Sequence, residues 1–249
     1  MNFDIIKKSP NMTAGRAGWK PDMIVCHIAE GTYLSTVDWL CDHVSEVSAH
    51  FVVARDGRIA QLVDIEDTAW SNGTSSSAAD VKYCGYSYLH AVRDRRVSAN
   101  YYTVSIEHEG VYSQTHGELT VQQAAATVQL VKYIRDEVWR IYGVQIPMDR
   151  EHIVGHCDIT PLWKPNCPGE RFPYEIIING FESIGELKYM RMRVGNGSVV
   201  AVPSIMLNDF NYAHVRSLVP LLGYKVDYLE DEDIVTFELA SSSALNAPG

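Results

Sequence analysis

The chain has 249 residues, 46% hydrophobic and 21% charged, with 17 Gly and 10 Pro; this is the composition of a folded globular protein and argues against a disordered, collagenous or low-complexity chain. A formal net charge of -10 argues against nucleic acid and anionic lipid as partners, because both are held by basic patches. Residues 181–249 carry 5 basic and 9 acidic side chains against 16 and 22 in residues 1–180, so no basic module hides inside the total. No stretch approaches the roughly 18 apolar residues of a membrane span, and no membrane insertion is expected.

In chain order, residues 23–28 form a continuous apolar run broken by His27, the pattern of a buried central strand. A short helix is expected near residues 35–47. Residues 50–55 and 58–63 flank Asp56-Gly57, a two-residue hairpin signal. Residues 71–80 are small and polar and read as a loop, and residues 101–108 alternate as a strand. The clearest helix covers residues 121–142, where Val121, Ala124, Val128, Val131, Ile134, Val138 and Ile141 make one apolar face. Thr120 and Gln123 have capping-box spacing, and Gly143 stands where the helix should stop. This order predicts an α/β domain with a central mixed sheet flanked by helices. A Pro/Gly-rich loop, 160–173, leads into a last short helix near residues 174–181.

Composition changes after about residue 185. Strands at 189–194 and 199–202 around Asn196-Gly197, a helix near 211–222 and a strand pair near 224–239 predict a small α+β unit of about 55 residues, near the lower limit for independent folding. The expected division is residues 1–182, residues 183–240 and a loose tail at 241–249. The five cysteines, Cys26, Cys41, Cys84, Cys157 and Cys167, are odd in number and show no disulfide framework. The opening residues lack the apolar run of a signal peptide. Cytoplasmic synthesis with reduced thiols is therefore expected, with at least one thiol free for other chemistry.

Three places collect reactive side chains. His27 interrupts an apolar strand, a setting in which a lone histidine is ordinarily a satisfied core residue. Glu107-His108-Glu109 ends the next strand, where a solvated strand end is the ordinary reading. If that strand is regular, Glu107 and His108 face opposite sides of the sheet. His156 and Cys167 lie eleven positions apart across a proline-rich loop, too far for one helical face but close enough for a stiff loop to fold both onto one ion. With His27 they would supply the three protein ligands that catalytic zinc typically uses, in a set that suits this borderline-soft metal. His152 reads as structural or exposed, and Cys157, next to His156, as packed. Trp70 and the tyrosines at 83, 86, 88, 101 and 102 could stack on sugar rings, although in an α/β domain such residues more often fill the core. No glycine-rich phosphate loop or Gly-x-Ser-x-Gly elbow is present.

These motifs carry a resemblance. Residues 23–27, the Val47-Ser48-Ala49-His50 run through Gly57, Ala69-Trp70, residues 104–110, Gly155-His156-Cys157-Asp158-Ile159 and Cys167-Pro168-Gly169 together resemble the zinc-dependent N-acetylmuramoyl-L-alanine amidases. That family shares its fold with the peptidoglycan recognition proteins, and the match runs in order over residues 20–180. The resemblance implies Zn²⁺ held by His27, His156 and Cys167, with Glu107 and Lys164 assisting the reaction. It also implies bacterial peptidoglycan as the partner. His50 matches a histidine common in the family, lining the substrate pocket at most and more ordinarily a buried, hydrogen-bonded ring; Trp70 is the other candidate at that pocket. Lys164 stands three residues before Cys167, where the family commonly has two. Zinc activates a bound water near neutral pH; Glu107 would then move its proton, and the lysine ammonium would stabilise an oxyanion.

Residues 200–208 with 215–228 resemble the small domain named after the copper amine oxidase N-terminus, which brings no copper-binding residues. On an amidase it implies a wall-targeting or homodimerising module. The expected protein is thus a wall-cleaving amidase of the phage or prophage endolysin type, reaching the wall after holin-mediated release. The alternatives are an exported autolysin, a non-catalytic peptidoglycan-binding protein and a cytosolic amidase that recycles muropeptides.

Overall fold

Two short strands, β1 (Ile5–Ile6) and β2 (Met12–Thr13), precede the apolar run around His27, which forms β3 (Met23–Ile28) with all six residues buried. They belong to a computed structural model that describes residues 1–183, with side chains for 1–180, and five later strands within residues 188–239. Helix α1 (Tyr33–Leu40) starts two residues before the expected position, because Thr32 supplies its cap. The Thr32 hydroxyl accepts from the Ser35 N–H while Ser35 reaches back to the Thr32 N–H, closing a capping box. The expected hairpin follows as β4 (Phe51–Val53) and β5 (Ile59–Gln61). Gly57 in its turn has φ +90, a conformation that costs glycine least.

Strand β6 (Thr68–Ala69) pairs with β2 in a separate ladder. Helix α2 (His90–Arg95), strand β7 (Thr103–His108) and the single turn α3 (Tyr112–Thr115) lead to the long helix α4 (Val121–Tyr142). On α4 the five central residues of the expected face are buried, while Val121 is exposed and Ile141 half-buried. Only half of the expected capping box forms. Thr120 accepts from the Gln123 N–H, but the buried Gln123 carboxamide donates to the carbonyls of Val53 and Glu109. Two strand-end carbonyls are thereby satisfied, and they prevail over the local cap. Gly143 ends the helix at φ +66, as expected. Strand β8 (Ile153–Gly155), the turn α5 (His156–Ile159) and helix α6 (Tyr174–Ser183) complete the series.

The central sheet has six strands in the order β1-β5-β4-β7-β3-β8. Every neighbouring pair is parallel except the β4–β5 hairpin. The register sets His27 beside Glu107, and Val52 on β4 beside Glu107 from the other side. One face of the sheet therefore presents Val25, His27, Ser105, Glu107, Val52 and Val154. Helix α1 covers its β4–β5 end through Tyr33, Val37 and Leu40 against Val52, Ala60 and Leu62. Val92 and Tyr102 cover its β3–β8 end against Met23, Val25 and Val154. The opposite face carries His108 and Phe51 against Thr127 and Tyr133 of α4. At the upper edge, where parallel strands end and the two covers of the first face part, the sheet opens a crevice.

The chain divides into two compact units, Met1–Phe181 and Glu182–Gly249. In the second, β9 (Lys188–Arg193), β10 (Val199–Leu207) and β11 (Phe210–Ala213) form an antiparallel sheet, and β12 (Tyr224–Leu229) pairs antiparallel with β13 (Ile234–Leu239). The helix expected near 211–222 is corrected at its start. Residues 211–213 are strand, paired with β10, where alternating Phe210 and Tyr212 suit a pleated ladder. Residues 214–222 and the tail at 241–249 lie outside the described residues. Among the described residues no helix is long and apolar enough to cross a membrane.

Candidate metal centre and cleft

His27, His156 and Cys167 meet at the upper edge of the sheet, with one ligand atom from each within 4.8 Å of the others. His27 is the fifth residue of β3, and His156 follows directly on β8, the neighbouring strand. The Gly155-His156-Cys157-Asp158 run explains itself locally. A Cβ at Gly155 would collide with Pro168 and Tyr174, so only glycine lets the ligand loop close. Asp158 accepts from the Gly155 N–H at 2.7 Å and pins the turn that carries His156. Cys167 is brought in by its loop, where the Cys157 N–H donates to the Cys167 carbonyl. The Ile28 N–H then donates to the Cys167 sulfur at 3.4 Å.

The donor set fits a zinc ion. Zn–S and Zn–N bonds of about 2.3 and 2.0 Å place tetrahedral ligand atoms roughly 3.5 Å apart, and Cys167 Sγ lies 3.8 Å from His27 Nδ1. Glu107 Oε2 is buried without a hydrogen-bond partner, a cost that folded proteins rarely leave standing without purpose. Burial holds the His27 imidazole well below its ordinary range and His156 down to about 3, Lys164 adding to the effect on His156. Both rings are thus in the neutral form that ligates. Burial and the Glu107 carboxylate push the Cys167 thiol far up, so that a nearby cation is what would make it a thiolate.

Glu107 sits against this trio, with Oε1 3.8 Å from His27 Nδ1. Burial raises its carboxyl to about 7, against the opposing pull of the Lys164 ammonium. Lys164 is exposed and lines the same cleft. The extra residue between it and Cys167 is absorbed in two turns, closed by the Lys164 N–H on the Thr160 carbonyl and the Cys167 N–H on the Lys164 carbonyl. The cleft has a volume of about 800 Å³. Its floor is the trio with Glu107, and its walls include Trp39, Trp70 and Trp163.

Trp70 lines the cleft, with its indole N–H on Thr13 at 2.9 Å. His50 does not reach it. Its ring is buried, with Nδ1 against Ser105 and Nε2 against Arg16 and the Asp67 carbonyl. The cleft-shaping member of that motif is Ser48, which accepts from the Trp70 N–H and donates to the Asn11 carbonyl. Among the tyrosines, Tyr102 is core, Tyr83 and Tyr101 pack on the same cluster, and none lines the cleft. His108 faces α4, bonded to Thr127, and His152 is held by Asp149. Trp39, Trp163, Lys82 and Glu30 line the cleft without having been singled out from the sequence. Trp39 carried a signal, since it falls outside the buried stripe of α1, whereas the other three depend on how loops close.

The sequence model of the N-acetylmuramoyl-L-alanine amidase family (Amidase_2) matches residues 17–170, and the chain belongs to that family. It is 31% identical over 129 residues to the 1,6-anhydro-N-acetylmuramyl-L-alanine amidase AmpD of Haemophilus influenzae, over 52% of this chain and 55% of that protein. It is 26% identical over 171 residues to N-acetylmuramoyl-L-alanine amidase A of Achromobacter lyticus, over 63% of this chain and 82% of that protein. The chain spans about half the length of the AmpD proteins it matches. In fold it is similar to a mutant structure of PlyL, with a TM-score of 0.50 and 18% identity over 74% of this chain and 99% of that one.

Proposed function

We propose that the protein is a zinc-dependent N-acetylmuramoyl-L-alanine amidase that cleaves the amide between N-acetylmuramic acid and the first L-alanine of bacterial peptidoglycan. The observation that carries this reading is the His27–His156–Cys167 trio beside Glu107 on the floor of an open cleft. Bound zinc supplies a Lewis acid that polarises the amide carbonyl and acidifies water. Glu107, its Oε1 3.8 Å from His27 Nδ1, takes a proton from the attacking water and delivers it to the departing amine. The Lys164 ammonium faces the charge that grows on the carbonyl oxygen. Trp70 offers a flat apolar surface for a sugar ring.

The physiological setting proposed is that of a phage or prophage endolysin, acting on the wall after holin-mediated release. Residues 183–240, similar to the small domain named after the copper amine oxidase N-terminus, would serve for wall targeting or homodimerisation. A wall digest with purified protein tests the central reading. New alanine amino termini without new reducing sugar ends, lost on chelation and restored by zinc, are expected. Firm sedimentation with walls and no release would overturn it in favour of a binding protein. The identity to AmpD favours a second reading, in which soluble 1,6-anhydro-muropeptides are the substrate. Faster cleavage of those than of intact wall would select it.

A further inference from the structure

The cleft is electrically lopsided. At the α1 end its rim carries Glu30 and Glu46, and at the β8 end Lys82 and Lys164. The sheet order keeps these ends apart, since α1 packs over β4 and β5 while His156 and the loop after it follow β8 at the far edge. Lys164 already faces the reacting carbonyl in the proposed reaction. Lys82 has no such assignment.

Lys82 is nonetheless held in place. Its backbone N–H donates to Asp80 at 2.9 Å, and its carbonyl accepts from the Ser75 N–H at 2.9 Å. Its half-buried side chain lays the ammonium 4.8 Å from the centre of the Trp163 ring, a cation–π contact that orients it. Among the described residues no carboxylate lies within ion-pair distance of it. Lys82 lines the same cleft as His156 and Glu107, so a substrate seated at the reacting centre passes it. A cation that is oriented, partly desolvated and without a counter-ion inside a substrate cleft is a preorganised anion receptor.

Resting on the amidase reading, we infer that Lys82 binds a free carboxylate of the stem peptide, so that the peptide lies toward the β8 end and the neutral sugars toward Trp39 and Trp70. A glutamate joined through its γ-carboxyl at the second position leaves its α-carboxylate free one residue beyond the alanine. Acidic groups at the α1 end would repel that carboxylate, so the two ends together set the direction in which the substrate lies.

Two synthetic substrates separate the possibilities: N-acetylmuramyl-L-Ala-γ-D-Glu-L-Lys and the same molecule with the glutamate α-carboxylate converted to a carboxamide. The wild-type protein is expected to prefer the carboxylate about tenfold in kcat/KM, the equivalent of one charge-assisted hydrogen bond, with the difference in KM. Lys82→Met should flatten the preference to within about twofold, and Lys82→Arg should retain most of it. Equal preference in wild type and Lys82→Met, or wild-type cleavage of both substrates at one rate, overturns the inference and leaves the amidase reading intact. Failure of the wild type on both substrates and on walls removes the amidase reading and this inference with it.

Discussion

Four buried histidines share one sheet and serve in two different ways. His27 and His156 stand where β3 and β8 end; His50 and His108 stand on or beside β4 and β7. All four are almost inaccessible to solvent, and burial depresses the basicity of every one. Only their hydrogen bonds tell them apart. His50 has both ring nitrogens against Ser105, Arg16 and the Asp67 carbonyl, and His108 has its two against the His27 carbonyl and Thr127. His27 sets Nδ1 3.8 Å from both a sulfur and a carboxylate oxygen, in the cluster that His156 completes. Burial with a low pKa is therefore a poor marker of function here. Ligand atoms of several residues converging on one point are the better marker.

The sharpest way to break the comparison is to disable the convergent pair's third member. Cys167→Ser should abolish most metal binding and lower activity by three orders of magnitude or more, on the order of the loss when a core catalytic group is removed. Metal content by elemental analysis would fall while the unfolding transition stays cooperative. Retained zinc and activity would remove Cys167 from the ligand set. A smaller loss is expected from Glu107→Gln, roughly a hundred- to ten-thousandfold in kcat. Zinc content should stay at the wild-type level, since Glu107 is assigned to proton transfer. Loss of metal in that variant would instead make Glu107 a ligand.

The contrast also explains what could be read from the chain. The apolar run of β3, the Asp56-Gly57 hairpin and the stripe on α4 are local patterns whose periods match the elements they form, so the mixed sheet was legible. That His27, His156 and Cys167 meet could be anticipated because Gly-His-Cys-Asp and Cys-Pro-Gly are short runs that carry the family resemblance, and Asp158 fixes the turn of the first. His50 left two readings open, because a histidine after Ser48-Ala49 reads the same whether its ring faces the cleft or the core, and the buried, hydrogen-bonded one holds. Its orientation is decided by Arg16, thirty-four residues away in sequence. Lys82 and Trp163 were silent for a similar reason, since two loops far apart in sequence make their contact. Gln123 shows the same competition at a helix end, where tertiary carbonyls took a side chain that local spacing had assigned to a cap.

The smallest effect belongs to the satisfied pair and appears in stability rather than turnover. The His50 ring is neutral in the fold, because burial first and the Arg16 guanidinium second hold its pKa well below the ordinary value of 6.5. In the unfolded chain it protonates near 6.5, so below that pH the unfolded state binds more protons than the folded one. The stability His50 supports is thus fully present above about pH 6.5 and drains away as pH falls below it, at up to about 1.4 kcal/mol per pH unit for one group. Urea unfolding from pH 7.5 down to 5 should show this limb, and His50→Gln should make it shallower by about one proton. At pH 7.5 the same substitution leaves the Arg16 and Ser105 contacts imperfectly met and should cost roughly 1–3 kcal/mol. Catalysis by the remaining folded protein should be unchanged within about twofold, a difference of some 0.4 kcal/mol in barrier height. A large fall in kcat/KM with stability untouched would return His50 to the substrate cleft and erase the distinction between the two pairs.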